Sequence, residues 1–287
     1  MSLPTSHTVV TYPAGAVSGR GTVLHVETLP DGRSAVLLDA TPAHPVDAGW
    51  PDQGPDRGTL SWQGSSAALE DCLAAATDGT ALFLGADVPV RKGTEGWAFV
   101  VAHVVATAPP AGTEVTVEVD AGHREALSLG HTGCHLASYA LNRAMASRWS
   151  KEVPLDELGH PGFDALANAT SLIREHGSHD TYRLGKSLRK RGFVVDGLAE
   201  ALPGIEAELN AALAEWIATD APVRIDRDGD RLTDRRTWVC ELPGATLRLP
   251  CGGTHAESLG QLGALRASLN LTEADGGLEL TMRTSTL

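Results

Sequence analysis

The sequence predicts an α+β protein. A small β-barrel-like domain is expected over residues 1–111 and a second, mixed α/β domain over residues 112–287. Three observations lead there. Short apolar strands recur at regular spacing in the first third. Two long helical patterns appear only later. Between them, Pro109-Pro110-Ala111-Gly112 breaks the chain.

In the first part, Gly21 to Thr28 alternates apolar and polar residues, as a half-buried strand does. Pro30-Asp31-Gly32-Arg33 reads as a turn, and Ser34 to Asp39 as a second strand, so the pair predicts a hairpin. A loop rich in Pro, Gly and Asp runs from Thr41 to Gly58. The Ala/Leu-rich stretch Ser66 to Ala75 predicts a short helix. Leu82-Phe83-Leu84 and Trp97 to Val105 predict further strands.

In the second part, Glu114 to Asp120 predicts a strand and His131 to Trp149 a helix. A polar stretch without a clear element follows, up to about Gly192. Pro203 to Ala218 predicts a helix with an apolar stripe of Ile205, Leu209, Ala212, Leu213 and Trp216. Pro222 to Ile225 and Ala245 to Leu249 predict strands.

Two motifs carry chemistry. They are His131-Thr132-Gly133-Cys134-His135 and Cys251-Gly252-Gly253-Thr254-His255. On a helix, residues at i and i+4 point the same way, so one turn can present two ligands to one ion. Three histidines and one cysteine form a nitrogen and sulfur set that suits Zn²⁺. His131, His135, Cys251 and His255 are therefore the expected metal ligands. Either motif alone is weak, and a pair of helix histidines is more often satisfied by backbone. Of the other cysteines, Cys72 and Cys240 read as core and Cys134 as small helix packing. His176, His179 and Asp180 read as solvated surface.

Composition sets limits on partners. The formal charge is −13, which excludes a protein that coats nucleic acid without specificity or lies on an anionic membrane. The four cysteines have no disulfide-framework spacing. The first residues lack the basic start and apolar core of a signal peptide, and no apolar stretch is long enough to span a bilayer. A soluble cytoplasmic protein is the expectation.

The two motifs, taken with their surroundings, resemble the editing domain of alanyl-tRNA synthetase. The closer resemblance is to the free-standing alanyl-tRNA editing (AlaX) family. His-Thr-x-x-His before Leu136 and Cys-Gly-Gly-Thr-His at 251–255 carry most of it. Val119-Asp120-x-x-His123-Arg124, Ile205-Glu206 with Asn210, Asp39-Ala40-Thr41-Pro42 and Gln53-x-x-Asp56-Arg57-Gly58 also match. Three departures stand out. Pro45 to Asp52 replaces a glycine run before Gln53, Cys134 replaces a threonine, and about 159–186 reads as an insertion.

The resemblance implies a two-layer editing domain behind a β-barrel domain. It implies a zinc-dependent hydrolase that removes serine or glycine from alanine tRNA, with Gln53 in the active site. Gly252 and Gly253 would let backbone approach a substrate, and Thr254 would offer a hydroxyl. The basic run Arg183, Lys186, Arg189, Lys190 and Arg191 would hold tRNA phosphate or form a solvated face. Four protein ligands make a closed tetrahedron, which is usually structural, whereas catalysis needs an open position. A binding module with a structural zinc, or a metal hydrolase of another aminoacyl ester or amide, therefore remain as alternatives.

Overall fold

A computed structural model describes residues 2–47 and 49–286 and shows a mixed α+β architecture. The chain forms two units. One comprises Met1–Glu125, Ile225–Arg236 and Gly252–Thr254, and the other Ala126–Arg224, Thr237–Cys251 and His255–Leu287.

The first unit contains β1 (Val9–Val10), β2 (Ser18–Thr28), β3 (Ser34–Leu38), β4 (Ala40–Thr41) and β5 (Gly58–Trp62). It continues with β6 (Ser65–Leu69), β7 (Asp71–Thr77), β8 (Leu82–Leu84), β9 (Ala98–Val105) and β10 (Glu114–Val119). Eight of these strands run in the order β6-β5-β10-β2-β3-β9-β7-β8. The predicted hairpin is β2–β3, with Leu29 N–H bonded to Arg33 O across the turn. Successive residues of a strand face opposite sides. Accordingly Val36 and Leu38 pack with Leu60, Phe99, Val101 and Val117, while Ala35 and Leu37 pack with Val100 and Ala102.

Two expectations change here. Ser66 to Ala75 is not a helix: it lies in β6 and β7, bonded to β5 and β9. Its alanines favour a helix in isolation, but cross-strand pairing overrides a propensity of a few tenths of a kcal/mol per residue, roughly. The strand order also ends on β6 and β8, so the order alone does not describe a closed barrel. Only Glu70 separates β6 from β7, and its N–H bonds to Val104 O at 2.9 Å.

The second unit is built around α1 (Ala121–Ala144), whose first turn still belongs to the first unit. The helix begins well before the expected His131 because Asp120 Oδ1 accepts the His123 N–H at 3.1 Å, a side-chain cap. Next come α2 (Phe163–Ala167), β11 (Asn168–Arg174), β12 (Gly177–Gly185), α3 (Lys186–Lys190) and α4 (Leu198–Ile217). β13 (Val223–Arg227), β14 (Arg236–Leu242), β15 (Ala245–Pro250), β16 (Arg266–Ala274) and β17 (Gly277–Ser285) complete the chain. β13-β14-β15 form one sheet and β11-β12-β17-β16 another.

The stretch expected to be a polar insertion supplies β12, which pairs with both β11 and β17. Its polar residues are satisfied inside the fold. Ser178 donates to Asp180 Oδ2 at 2.6 Å, and the Cys134 thiol donates to Asp180 Oδ1 at 3.3 Å. Asp180 is thus buried, not solvated as the sequence suggested, while Cys134 packs on α1 as expected. The β11–β12 hairpin lies directly on α1. A Cβ at Gly130 would fall 2.2 Å from Arg174 O and 2.5 Å from Gly177 O, so only glycine permits this approach.

α4 starts earlier than Pro203, after Gly197 in the left-handed region, and carries the proline inside. Its stripe is buried as predicted. Glu206 and Asn210 bond the backbone of β16, the edge strand, at Leu269 and Ala267. These two residues of the matched helix are therefore structural. No helix among the described residues is long and apolar enough to cross a membrane.

Candidate metal centre

α1 places His131 and His135 one turn apart, with ring centroids 4.6 Å from each other. β15 ends at Pro250 and leads directly into Cys251. His255 follows four residues beyond, and its ring lies 4.3 Å from that of His131 and 5.0 Å from that of His135. The ligand atoms of all four residues lie within 4.8 Å of one another. Cys251 Sγ is 3.4 Å from His131 Nε2 and 3.2 Å from His255 Nε2. Donors around a tetrahedral zinc, with bonds of about 2.0–2.3 Å, stand about 3.3–3.6 Å apart. The cluster thus has the geometry of a zinc site.

A second observation tests the fit. His135 Nε2 is buried and has no hydrogen-bond partner among the described residues. A buried polar atom without a partner is costly, and a cation would satisfy this one.

Electrostatics agree with the donor set. Burial alone would raise the Cys251 thiol, but His131, His255 and His135 outweigh it and hold it well below its ordinary value. Burial, with the neighbouring His131, pushes His255 down to about 3. A thiolate at Cys251 and a neutral imidazole at His255 are the forms in which these residues bind zinc.

The surroundings hold these side chains in place. Trp238, fully buried on β14, packs edge-on against His135 at 5.1 Å. Tyr139, one turn beyond His135, donates to Glu157 at 2.6 Å and lies 3.4 Å from Arg248 O on β15. Thr132 Oγ1 accepts the Ala256 N–H at 3.0 Å and stands 3.2 Å from His255 Nδ1. Thr132 is a matched position of the His-Thr-x-x-His motif, but the motif assigned it no role.

In the first unit, Gln53 is buried and paired with Thr254. Its Nε2 donates to Thr254 Oγ1 at 2.8 Å, and its Oε1 accepts the Thr254 N–H at 3.0 Å. The loop bearing Gln53 is anchored by Asp56, which forms a buried ion pair with Arg124. Arg124 Nε donates to Asp56 Oδ1 at 2.8 Å, and its Nη2 also reaches Pro42 O at 2.8 Å. A cleft in this unit is lined in part by Tyr12, His44, Gln53, Arg236, Gly252 and Gly253. Trp50, which also borders it, is strongly exposed and bonds Asp52 through its indole N–H. Neither Gly252 nor Gly253 has a positive φ, and a Cβ at Gly252 would meet nothing within 4 Å. Unusual dihedrals therefore do not explain these glycines, whereas open space beside the Gly252 backbone is observed.

The basic run lies elsewhere, on β12 and at α3, with Arg183, Lys186, Arg189, Lys190 and Arg191 all exposed.

No family model matches the chain. It is similar to alanine–tRNA ligases. One from Pyrobaculum neutrophilum is 28% identical over 265 residues, covering 88% of this chain and 24% of the ligase. One from Methanopyrus kandleri is 27% identical over 82% of this chain and 21% of the ligase. One from Frankia casuarinae is 25% identical over 82% and 22%. The chain spans about a quarter of the length of these curated relatives.

Proposed function

We propose that this chain is a zinc-dependent hydrolase that removes serine or glycine from mischarged alanine tRNA in the cytoplasm. The observation that carries this reading is the cluster of His131, His135, Cys251 and His255, in a chain most of which resembles alanine–tRNA ligases. The name of these ligases joins alanine to tRNA, which supports alanine tRNA as the partner. We assign the editing activity to the second unit, which takes in most of the expected 112–287, and the barrel to the first, which runs past the expected boundary at 111 to include β10. The barrel closes through the shared stretch 65–77, which pairs with β5 at one end and β9 at the other.

Hydrolysis forms one C–O bond from water to the ester carbonyl, breaks the C–O bond to the ribose, and returns a proton to the ribose hydroxyl. Zinc bound to the four residues would supply Lewis acidity towards the carbonyl and water activation. Gln53 and Thr254 orient one another, and the open space at Gly252 lets a substrate approach main chain. For the seryl ester, a site that hydrogen-bonds the serine hydroxyl rejects alanine, which cannot satisfy it. Arg183, Lys186, Arg189, Lys190 and Arg191 supply contacts to tRNA phosphate.

A second reading has its own observation. The four donors can fill a tetrahedron, as structural zinc sites do. The chain would then bind tRNA without turnover.

Incubation of the zinc-loaded protein with seryl-, glycyl- and alanyl-tRNA separates the two. Loss of the seryl or glycyl ester, with alanyl-tRNA spared, is the expected result. Salt-sensitive tRNA binding with no ester loss above buffer favours the binding module and overturns the hydrolase. His131→Ala and Cys251→Ala should each lower zinc content, and unchanged stoichiometry removes those residues from the site.

A further inference from the structure

We propose that Thr132 is a positioning residue that fixes His255 as an Nε2 ligand, an inference that rests on the zinc reading of the site. Thr132 is buried on α1, directly after His131. Its Oγ1 accepts the Ala256 N–H at 3.0 Å. An amide N–H only donates, so one acceptor position of the hydroxyl is taken there. His255 Nδ1 lies 3.2 Å from the same oxygen. The other ring nitrogen, Nε2, faces Cys251 Sγ at 3.2 Å inside the donor cluster.

With Nε2 turned to the metal, the tautomer follows. A neutral imidazole that gives its Nε2 lone pair to a cation carries its proton on Nδ1. That N–H donates to the second acceptor position of Thr132 Oγ1. One oxygen thereby holds both the backbone after His255 and the ring of His255 itself. Ligating histidines depend on such a partner for ring orientation and basicity, and its loss typically costs about 10–100-fold in metal affinity. Because Thr132 follows His131 on the same helix, α1 supplies two of the ligands and the support for a third.

The shape and the chemistry of Thr132 can be varied separately. Thr132→Val keeps the branched shape without the oxygen, and Thr132→Ser keeps the oxygen without the methyl. In chelator competition for zinc, the valine variant is expected to bind about 10–100-fold more weakly than the parent, with serine within a few-fold of it. In the ¹⁵N-labelled parent protein with zinc, His255 should show a protonated, slowly exchanging Nδ1. Equal zinc affinity of the valine and parent proteins overturns the proposal. So does a His255 lacking the Nδ1 proton, a measurement that needs no variant to fold. A preserved zinc effect with no hydrolysis of any aminoacyl-tRNA sinks the enzymatic reading alone.

Discussion

Gln53 and Thr254, 201 positions apart in the chain, are joined by both ends of the glutamine amide. The amide donates to the threonine hydroxyl and accepts from the threonine main chain, so neither Glu nor Ala can reproduce both bonds. Gln53→Glu keeps an acceptor and loses the donor. A cost of about 1–3 kcal/mol is expected for disrupting this buried pair. Urea unfolding measures it, and ester hydrolysis should fall in the same variant if Gln53 serves the substrate site.

Arg124 and Asp56 form the buried pair that anchors the Gln53 loop. Arg124→Ala leaves a buried carboxylate without its guanidinium partner, which should cost about 3–5 kcal/mol. Arg124→Lys should recover only part of this, because an ammonium cannot form the two parallel bonds and still reach Pro42 O. Denaturant midpoints of both variants check the order. Equal stability of the lysine variant and the parent would show that charge alone suffices.

Gly130→Ala is a substitution that usually helps a helix, by about 1 kcal/mol. Here the added Cβ would meet Arg174 O at 2.2 Å, so the sign should reverse. Lower thermal stability is expected, together with faster amide exchange in β11 and β12. A gain in stability would mean that the hairpin does not rest on α1 in solution.

His103 is buried on β9, with Nδ1 near Val36 O at 3.0 Å and Nε2 near the Thr41 hydroxyl at 2.8 Å. Burial holds it down to about 4, from an ordinary value of 6.5. Between those values the unfolded chain takes up a proton that the native state refuses. Stability should therefore be fully present above pH 6.5 and fall as pH drops towards 4, by about 1.4 kcal/mol per unit at most and about 3 kcal/mol in total. Urea unfolding across this range, compared with His103→Gln, isolates the term, since the glutamine protein should lack that slope.

Local patterns account for what was legible. The β2–β3 hairpin and the stripe on α4 follow from short-range alternation and helical spacing, and both formed where expected. Ser66 to Ala75 misled because alanine is common in helices, whereas its strand state depends on partners in β5 and β9. The strand Gly177–Gly185 was hidden by its polarity, since Ser178 meets Thr284 and Asp180 meets Cys134 only after the sheet and α1 assemble. Thr132 was legible as a motif position, but its partners were not, because they lie on Ala256 and His255.

By itself the sequence determined that His131 and His135 share one side of a helix, and that Cys251 and His255 offer a matched pair of donors, because each spacing falls within one short segment. Only the tertiary structure decided that the pairs meet, with Cys251 Sγ 3.4 Å from His131 Nε2 across 120 positions. It also decided which groups stand behind the donors. Those choices rest on long-range packing and on hydrogen bonds between buried groups, whose partners no local pattern names.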